Sequence, residues 1–146
     1  MPIVTARLTD PEYGFTVTDE ADQSIHIDIP IDQGGNGKGF RPMQTILASL
    51  CGCSGVDIIS ILKKQRQTLE GLEIIVNGER EKEKEPALWE KIDIQFRLSG
   101  KIDPEKAFRA ASLSIEKYCS VAETLRRAGA SIHFSVFVNG QMHNPS

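Results

Sequence analysis

Apolar and polar residues alternate toward both ends of the chain and follow a helical period in between. Val4-Thr5-Ala6-Arg7-Leu8 and Phe15-Thr16-Val17-Thr18 read as strands, separated by the turn composition Asp10-Pro11-Glu12-Tyr13-Gly14. Ile25-His26-Ile27-Asp28-Ile29 alternates strictly and predicts a half-buried strand, with three Ile on one face and His26 and Asp28 on the other. Residues 33–39 are glycine-rich but lack the lysine-serine pair of a phosphate loop, so they predict a flexible connector.

From Pro42 to about Arg66 the pattern becomes helical. Met43, Ile46, Leu47, Leu50, Ile58, Ile61 and Leu62 form an apolar stripe, and Pro42 suits the first helical position. The opposite side carries Thr45, Ala48, Gly52 and Gly55 and is not polar either. A helix without a polar face is a buried one. Each glycine inside a helix costs about 1 kcal/mol, so the pair implies close approach of another backbone. The pattern predicts a central helix covered by a sheet on one side and by a second helix on the other.

Beyond it, Leu72–Val76 begins a strand that runs into the alternating charges of residues 79–85, a solvated hairpin. Leu88–Leu98 is a strand with Ile92, Ile94, Phe96 and Leu98 inward. Asp103 caps and Pro104 opens a helix that runs to about Tyr118. Ser120 and Glu123 make a capping-box pair for a second, short helix ending near Gly129. Ile132–Val136 is a closing strand. The order βββ-α-ββ-αα-β is an α+β layout, and 146 residues suit one domain spanning 1–146.

Charge narrows the function classes. A net charge of -3 argues against a nucleic-acid surface. The one cationic run, Lys63-Lys64-Gln65-Arg66, ends the long helix, where cations complement the helix dipole. The N-terminus has no basic segment followed by an apolar one, and no uninterrupted apolar run approaches the roughly 18 residues of a membrane span. The expectation is a cytosolic protein with no membrane partner. Three cysteines in a reducing compartment point to thiol or metal chemistry, not to a disulfide framework.

Cys51 and Cys53 project about 200° apart on the helix, so they do not readily bond to each other or share a metal. One is left to pair with something distant while the other packs as a small hydrophobe. Cys119 sits just before the Ser120 cap, where the positive end of a helix favours thiolate. A zinc site would draw on Cys53, Cys119, His26, His133 and His143, but no ligand-spaced motif joins them. No G-x-S-x-G elbow is present either. The sequence therefore names no metal and no cofactor.

The run Leu50-Cys51-Gly52-Cys53-Ser54-Gly55-Val56-Asp57-Ile58-Ile59-Ser60-Ile61-Leu62-Lys63-Lys64 resembles the central-helix signature of the OsmC/Ohr family. So does Leu113-Ser114-Ile115-Glu116-Lys117-Tyr118-Cys119-Ser120-Val121-Ala122, and Arg41-Pro42-Met43-Gln44 resembles the approach to that helix. Within the family, the likeness is to OsmC-like proteins of the YhfA-like branch. The resemblance implies a long buried central helix packed against antiparallel sheets in an intertwined homodimer. It implies thiol-dependent reduction of organic hydroperoxides, with Cys53 peroxidatic and Cys119 resolving. A dithiol or lipoylated protein would be the reductant. Cys51 has no role by resemblance.

The chain departs from the active pattern in one place. Active members carry a glutamate where Met43 stands, followed here by the uncharged Gln44. Their thiolate also meets an arginine, for which Arg7 and Arg41 are the candidates here. Asp57, one turn after Cys53, disfavours a thiolate unless a cation neutralises it, and its bland reading is a buried hydrogen-bond hub. The alternative function is a non-enzymatic or weakly redox-active dimer that binds a small apolar ligand.

Overall fold

The structure is a computed structural model and describes residues 1–144. The chain divides into two compact units, Met1–Ile46 and Leu47–Ser146.

The first unit holds a three-stranded antiparallel sheet, β1 (Val4–Leu8), β2 (Phe15–Asp19) and β3 (Ser24–Ile27), in that order. Short aspartates build its turns. Asp10 Oδ1 accepts the backbone N–H groups of Glu12 and Gly14, and Asp19 Oδ1 accepts those of Ala21 and Gln23.

Two expectations for this unit are corrected. Asp28 does not face solvent: it is 2% exposed, while Ile25 is 49% exposed. The glycine-rich segment is an ordered wrap around that carboxylate, not a flexible connector. Asp28 Oδ1 accepts from Ile29 N at 2.7 Å and Oδ2 from Lys38 N at 3.1 Å. The glycines are there for room, since a Cβ on Gly35 would stand 2.2 Å from the Ile29 carbonyl oxygen.

The second unit holds a four-stranded sheet in the order β4 (Thr68–Arg80), β5 (Trp89–Lys101), β6 (Ser131–Val138), β7 (Gln141–His143). β4 and β5 form a long antiparallel hairpin, but β5 and β6 are parallel. The sheet is thus mixed where an antiparallel one was expected, and β7 is an added short strand. A parallel pair needs a crossover. Here it is α2 (Pro104–Leu113), a π-helical turn (Ser114–Tyr118) and α3 (Ser120–Arg127). Asp103 caps α2 as expected, its side chain accepting from Glu105 N. Ile92, Ile94, Phe96 and Leu98 are all buried, together with Val136 and Val138 of β6. Ala107, Ala110 and Ala111 are fully buried on α2, which packs on β6.

The central helix, α1, spans Pro42–Lys64. Arg41 precedes it: its carbonyl accepts from Gln44 N and Thr45 N, and Gln44 Oε1 accepts the Arg41 N–H at 3.1 Å. Leu50, Ser54, Gly55, Ile58 and Leu62 give the helix one buried face. The rest of the expected burial is not supplied by the described residues. Ala48, Gly52, Val56 and Ile59 are exposed, Val56 by 65%. A Cβ on Gly55 would meet Ile74 Cδ1 at 3.1 Å, whereas one on Gly52 would meet nothing within 4 Å. By length and composition alone α1 could cross a membrane, a test that the core helix of a folded domain also passes.

Candidate functional site

The site grows from two helical segments of the second unit. On α1, Cys53 and Asp57 stand one turn apart, both half-buried. Between them Ser54 is fully buried and turns its hydroxyl onto its own helix, donating to the Leu50 carbonyl at 2.7 Å. That leaves no unpaired polar group on the buried face at this point.

The second segment is the π-helical turn after α2. Its extra residue per turn places Ser114 inward, where it is fully buried. Ser114 Oγ donates to Asp57 Oδ2 at 2.9 Å and lies 3.5 Å from the Ser54 carbonyl oxygen. The turn closes with Cys119 N donating to the Ser114 carbonyl at 2.7 Å. Cys119 then goes extended, with φ -75 and ψ 107, and the next helix starts from it.

Cys119 is itself the N-cap of α3. Its Sγ accepts the Ala122 N–H at 3.4 Å. This corrects the expected capping box: Ser120 is the first helical residue, and Glu123 is engaged by Arg126 and Arg127 instead. Arg126 also donates to the Ile115 carbonyl from the same end of the helix.

These contacts bring Cys53, Asp57 and Cys119 together. Their sulfur and carboxylate donor atoms all lie within 4.8 Å of one another, and all three cysteines are unpaired thiols. Electrostatics distinguishes the sulfurs. The Cys119 thiol is pushed up to about 11, first by burial, and further by the hydrogen bond and charge of Cys53. The helix N–H groups of Ala122 and Val121 pull the other way and lose. The expected thiolate at Cys119 is therefore replaced by a thiol held protonated beside Cys53. Burial also raises the Cys51 thiol. Cys51 is not a member of this cluster.

A hollow of about 500 Å³ opens on the Asp57 side, lined by Ile61, Leu113 and Tyr118, with Lys64 and Gln65 among its polar groups. The Gln65 Oε1 atom is buried and has no hydrogen-bond partner.

The remaining candidates make the following local contacts. Arg7 is exposed on β1, paired in register with Thr16, and Arg41 is exposed just before α1. His26 Nδ1 contacts Thr16 Oγ1 at 3.1 Å, and His133 Nε2 contacts Ser131 Oγ at 3.2 Å. His143 packs edge-on against Phe108. The residue that sequence reasoning missed is Ser114. It stands inside the second cysteine motif, but its inward aim depends on a π turn that periodicity does not signal.

Comparison with known proteins places the chain. A family model described as OsmC-like protein matches residues 35–135. Protein YhfA of Escherichia coli strain K12 is 39% identical over 101 residues, covering 68% of this chain and 75% of that protein. The crystal structure of a hypothetical protein from Aquifex aeolicus VF5 is 31% identical with a TM-score of 0.78, over 95% of this chain and 98% of that one. A crystal structure titled an organic hydroperoxide resistance protein OsmC, from Legionella pneumophila, has a TM-score of 0.72 at 17% identity, over 94% and 97%; it shares the fold.

Proposed function

Since this chain belongs to the OsmC-like family, we propose that it reduces organic hydroperoxides through a two-thiol cycle. Cys53 attacks and Cys119 resolves. One observation carries the reading: sulfurs 66 positions apart in sequence stand within 4.8 Å of each other. In the first step Cys53 sulfur bonds to the terminal peroxide oxygen, the O–O bond breaks, and Cys53-SH plus ROOH become Cys53-SOH plus ROH. In the second, Cys119 sulfur displaces that hydroxyl, giving the Cys53–Cys119 disulfide and water. A dithiol, free or as a lipoylated protein, returns both thiols. A Cys119 thiol held protonated is a poor nucleophile toward peroxide, which suits the second place in that order, and it gives up its proton as it attacks the sulfenic acid. The hollow beside Asp57 would take the organic part of the peroxide, with Ile61, Leu113 and Tyr118 as its apolar wall. The name of the Legionella pneumophila neighbour supports the substrate class.

The same reading takes residues 1–146 as a single OsmC-like domain that works as a cytosolic homodimer, with no nucleic-acid or membrane partner. The family match runs from residue 35 to residue 135 and so spans both units. The uncovered apolar face of α1 supports the dimer, as do the exposed Val4, Leu8 and Ile25 of the first sheet.

The test is anaerobic single turnover of reduced protein with cumene hydroperoxide and with hydrogen peroxide, followed by thiol counting and mass mapping. The expected result is loss of two thiols per chain, a Cys53–Cys119 link and preference for the organic peroxide. No loss, or loss at Cys51 alone, would leave the fold without the chemistry, and binding of a small apolar ligand in the hollow would take its place.

A further inference from the structure

The cluster of Cys53, Asp57 and Cys119 has the donor chemistry of a metal site, although the sequence spacing concealed it. We propose that the reduced protein binds one zinc-like divalent ion per chain on the two sulfurs and the Asp57 carboxylate. The donor atoms lie within 4.8 Å of one another in the metal-free arrangement. A tetrahedron with Zn–S of about 2.3 Å and Zn–O of about 2.0–2.2 Å has edges of roughly 3.5–3.8 Å. Small side-chain rotations close that difference. Two thiolates and a carboxylate are a soft, anionic set that selects zinc-like ions over magnesium or calcium.

Support beyond the three donors is already in place. Ser114 donates to Asp57 Oδ2 at 2.9 Å and fixes the carboxylate, the outer contact that ligating carboxylates commonly have. The Ala122 N–H on Cys119 Sγ at 3.4 Å does the same for the sulfur and stabilises its negative charge. Binding replaces a proton on each thiol with the ion, so protons are released and affinity falls with acid. The protein supplies three ligands, and the fourth position is left to water from the hollow that Asp57 lines. The ion and a Cys53–Cys119 disulfide exclude each other, because both use the same sulfur lone pairs. Zinc would therefore hold the pair reduced and silent toward peroxide. Only this last consequence rests on the peroxidase reading. Metal binding itself does not.

The experiment is anaerobic titration of the reduced full-length chain with Zn²⁺ against a chromophoric chelator, and with Co²⁺ followed by its absorption spectrum. One ion per chain is expected, with protons released on binding and a thiolate-to-cobalt charge-transfer band. Cys51→Ser should bind as the unchanged chain does, Asp57→Asn at least tenfold more weakly, and Cys53→Ser or Cys119→Ser should lose the stoichiometric site. A cobalt spectrum without charge transfer in the unchanged protein overturns the proposal without any variant. So does binding that survives Cys53→Ser and Cys119→Ser together, or binding indifferent to Asp57→Asn in a chain whose circular dichroism is intact. Failure of peroxide turnover alongside retained metal binding would refute the peroxidase reading and leave this one standing.

Discussion

Ser114 donates its hydroxyl to the Asp57 carboxylate across 2.9 Å, and that bond joins the π-helical turn before Cys119 to the helix that carries Cys53. The contact joins residues 57 positions apart, one on each of the two segments that carry the thiols. Ser114 is fully buried, so deleting its hydroxyl leaves the Asp57 carboxylate short of a partner. Ser114→Ala is expected to lower unfolding free energy by about 1–3 kcal/mol in urea melts. It should also slow closure of the Cys53–Cys119 disulfide, because the turn loses its anchor. Unchanged closure in a destabilised variant would mean that the contact is structural only.

Asp57 puts a negative charge beside two sulfurs. A like charge disfavours thiolate, and thiolate is the form that alkylates. Asp57→Asn keeps the shape and an acceptor for Ser114 while removing the charge. The variant should react faster with iodoacetamide near neutral pH than the unchanged chain, with the gain at Cys53 by mass mapping. Slower alkylation would mean that Asp57 takes the thiol proton and acts as a base.

Cys119 makes stability depend on alkaline pH. Its thiol stands at about 11 when folded, against an ordinary 9.0. Between those values the unfolded chain has lost the proton and the folded chain has kept it, so raising the pH favours unfolding. The contribution of this group is whole below about pH 9 and is lost as pH rises toward 11. Urea melts at both ends of that window should differ by on the order of 1–2 kcal/mol more in the unchanged chain than in Cys119→Ser, where serine keeps a cap but does not ionise. Equal slopes for the two chains would show that burial of this thiol carries no such linkage.

The legibility of the chain follows from the range of each signal. The period-two pattern of Ile92, Ile94, Phe96 and Leu98 is local, and all four residues are buried. Asp103 and Pro104 open α2 as read, because capping acts within one turn. Asp57 was legible as a neighbour of Cys53 for the same reason. Ser120 looked like the cap because serine caps better than cysteine in general. The π turn moves the extended residue to Cys119, and no residue pattern announces a π turn. Alternation put Asp28 on the face opposite the three Ile, yet two backbone N–H groups that follow it in the chain draw it inward. Composition could say that α1 has no polar face. It could not say how much of that face this chain covers.

That Asp28 contact carries its own expectation. Its carboxylate accepts two backbone N–H groups and is 2% exposed, so Asp28→Ala removes the acceptor shared by the half-buried Ile29 and the exposed Lys38. Charge-assisted hydrogen bonds contribute roughly 1.5–3 kcal/mol each. Asp28→Ala should destabilise by roughly 1.5–3 kcal/mol, and Asp28→Asn by less, since an amide oxygen still accepts one of the bonds. Hydrogen exchange should show the loss at Ile29 and Lys38 N–H. Protection there unchanged in Asp28→Ala would overturn the view that this side chain orders the glycine-rich segment.

Gly52 and Gly55 separate what one chain does from what two copies do. Gly55 is buried, and a side chain there starts 3.1 Å from Ile74 Cδ1, so Gly55→Leu must push the Ile74 side chain aside. It should destabilise the protomer by about 2 kcal/mol or more through overpacking. A Cβ on Gly52 would meet nothing within 4 Å, so within one chain a side chain at this position starts in open space. Replacing a mid-helix glycine there should even strengthen α1 by about 1 kcal/mol. If the proposed homodimer packs a second copy on the face of Ala48, Gly52 and Val56, that gain is outweighed, because the added side chain holds the two backbones apart. Sedimentation of the unchanged chain should then show a dimer, and Gly52→Leu a folded monomer with intact circular dichroism. A Gly52→Leu chain that sediments with the unchanged one would move the dimer contact off this face and leave the exposed side of α1 without an occupant.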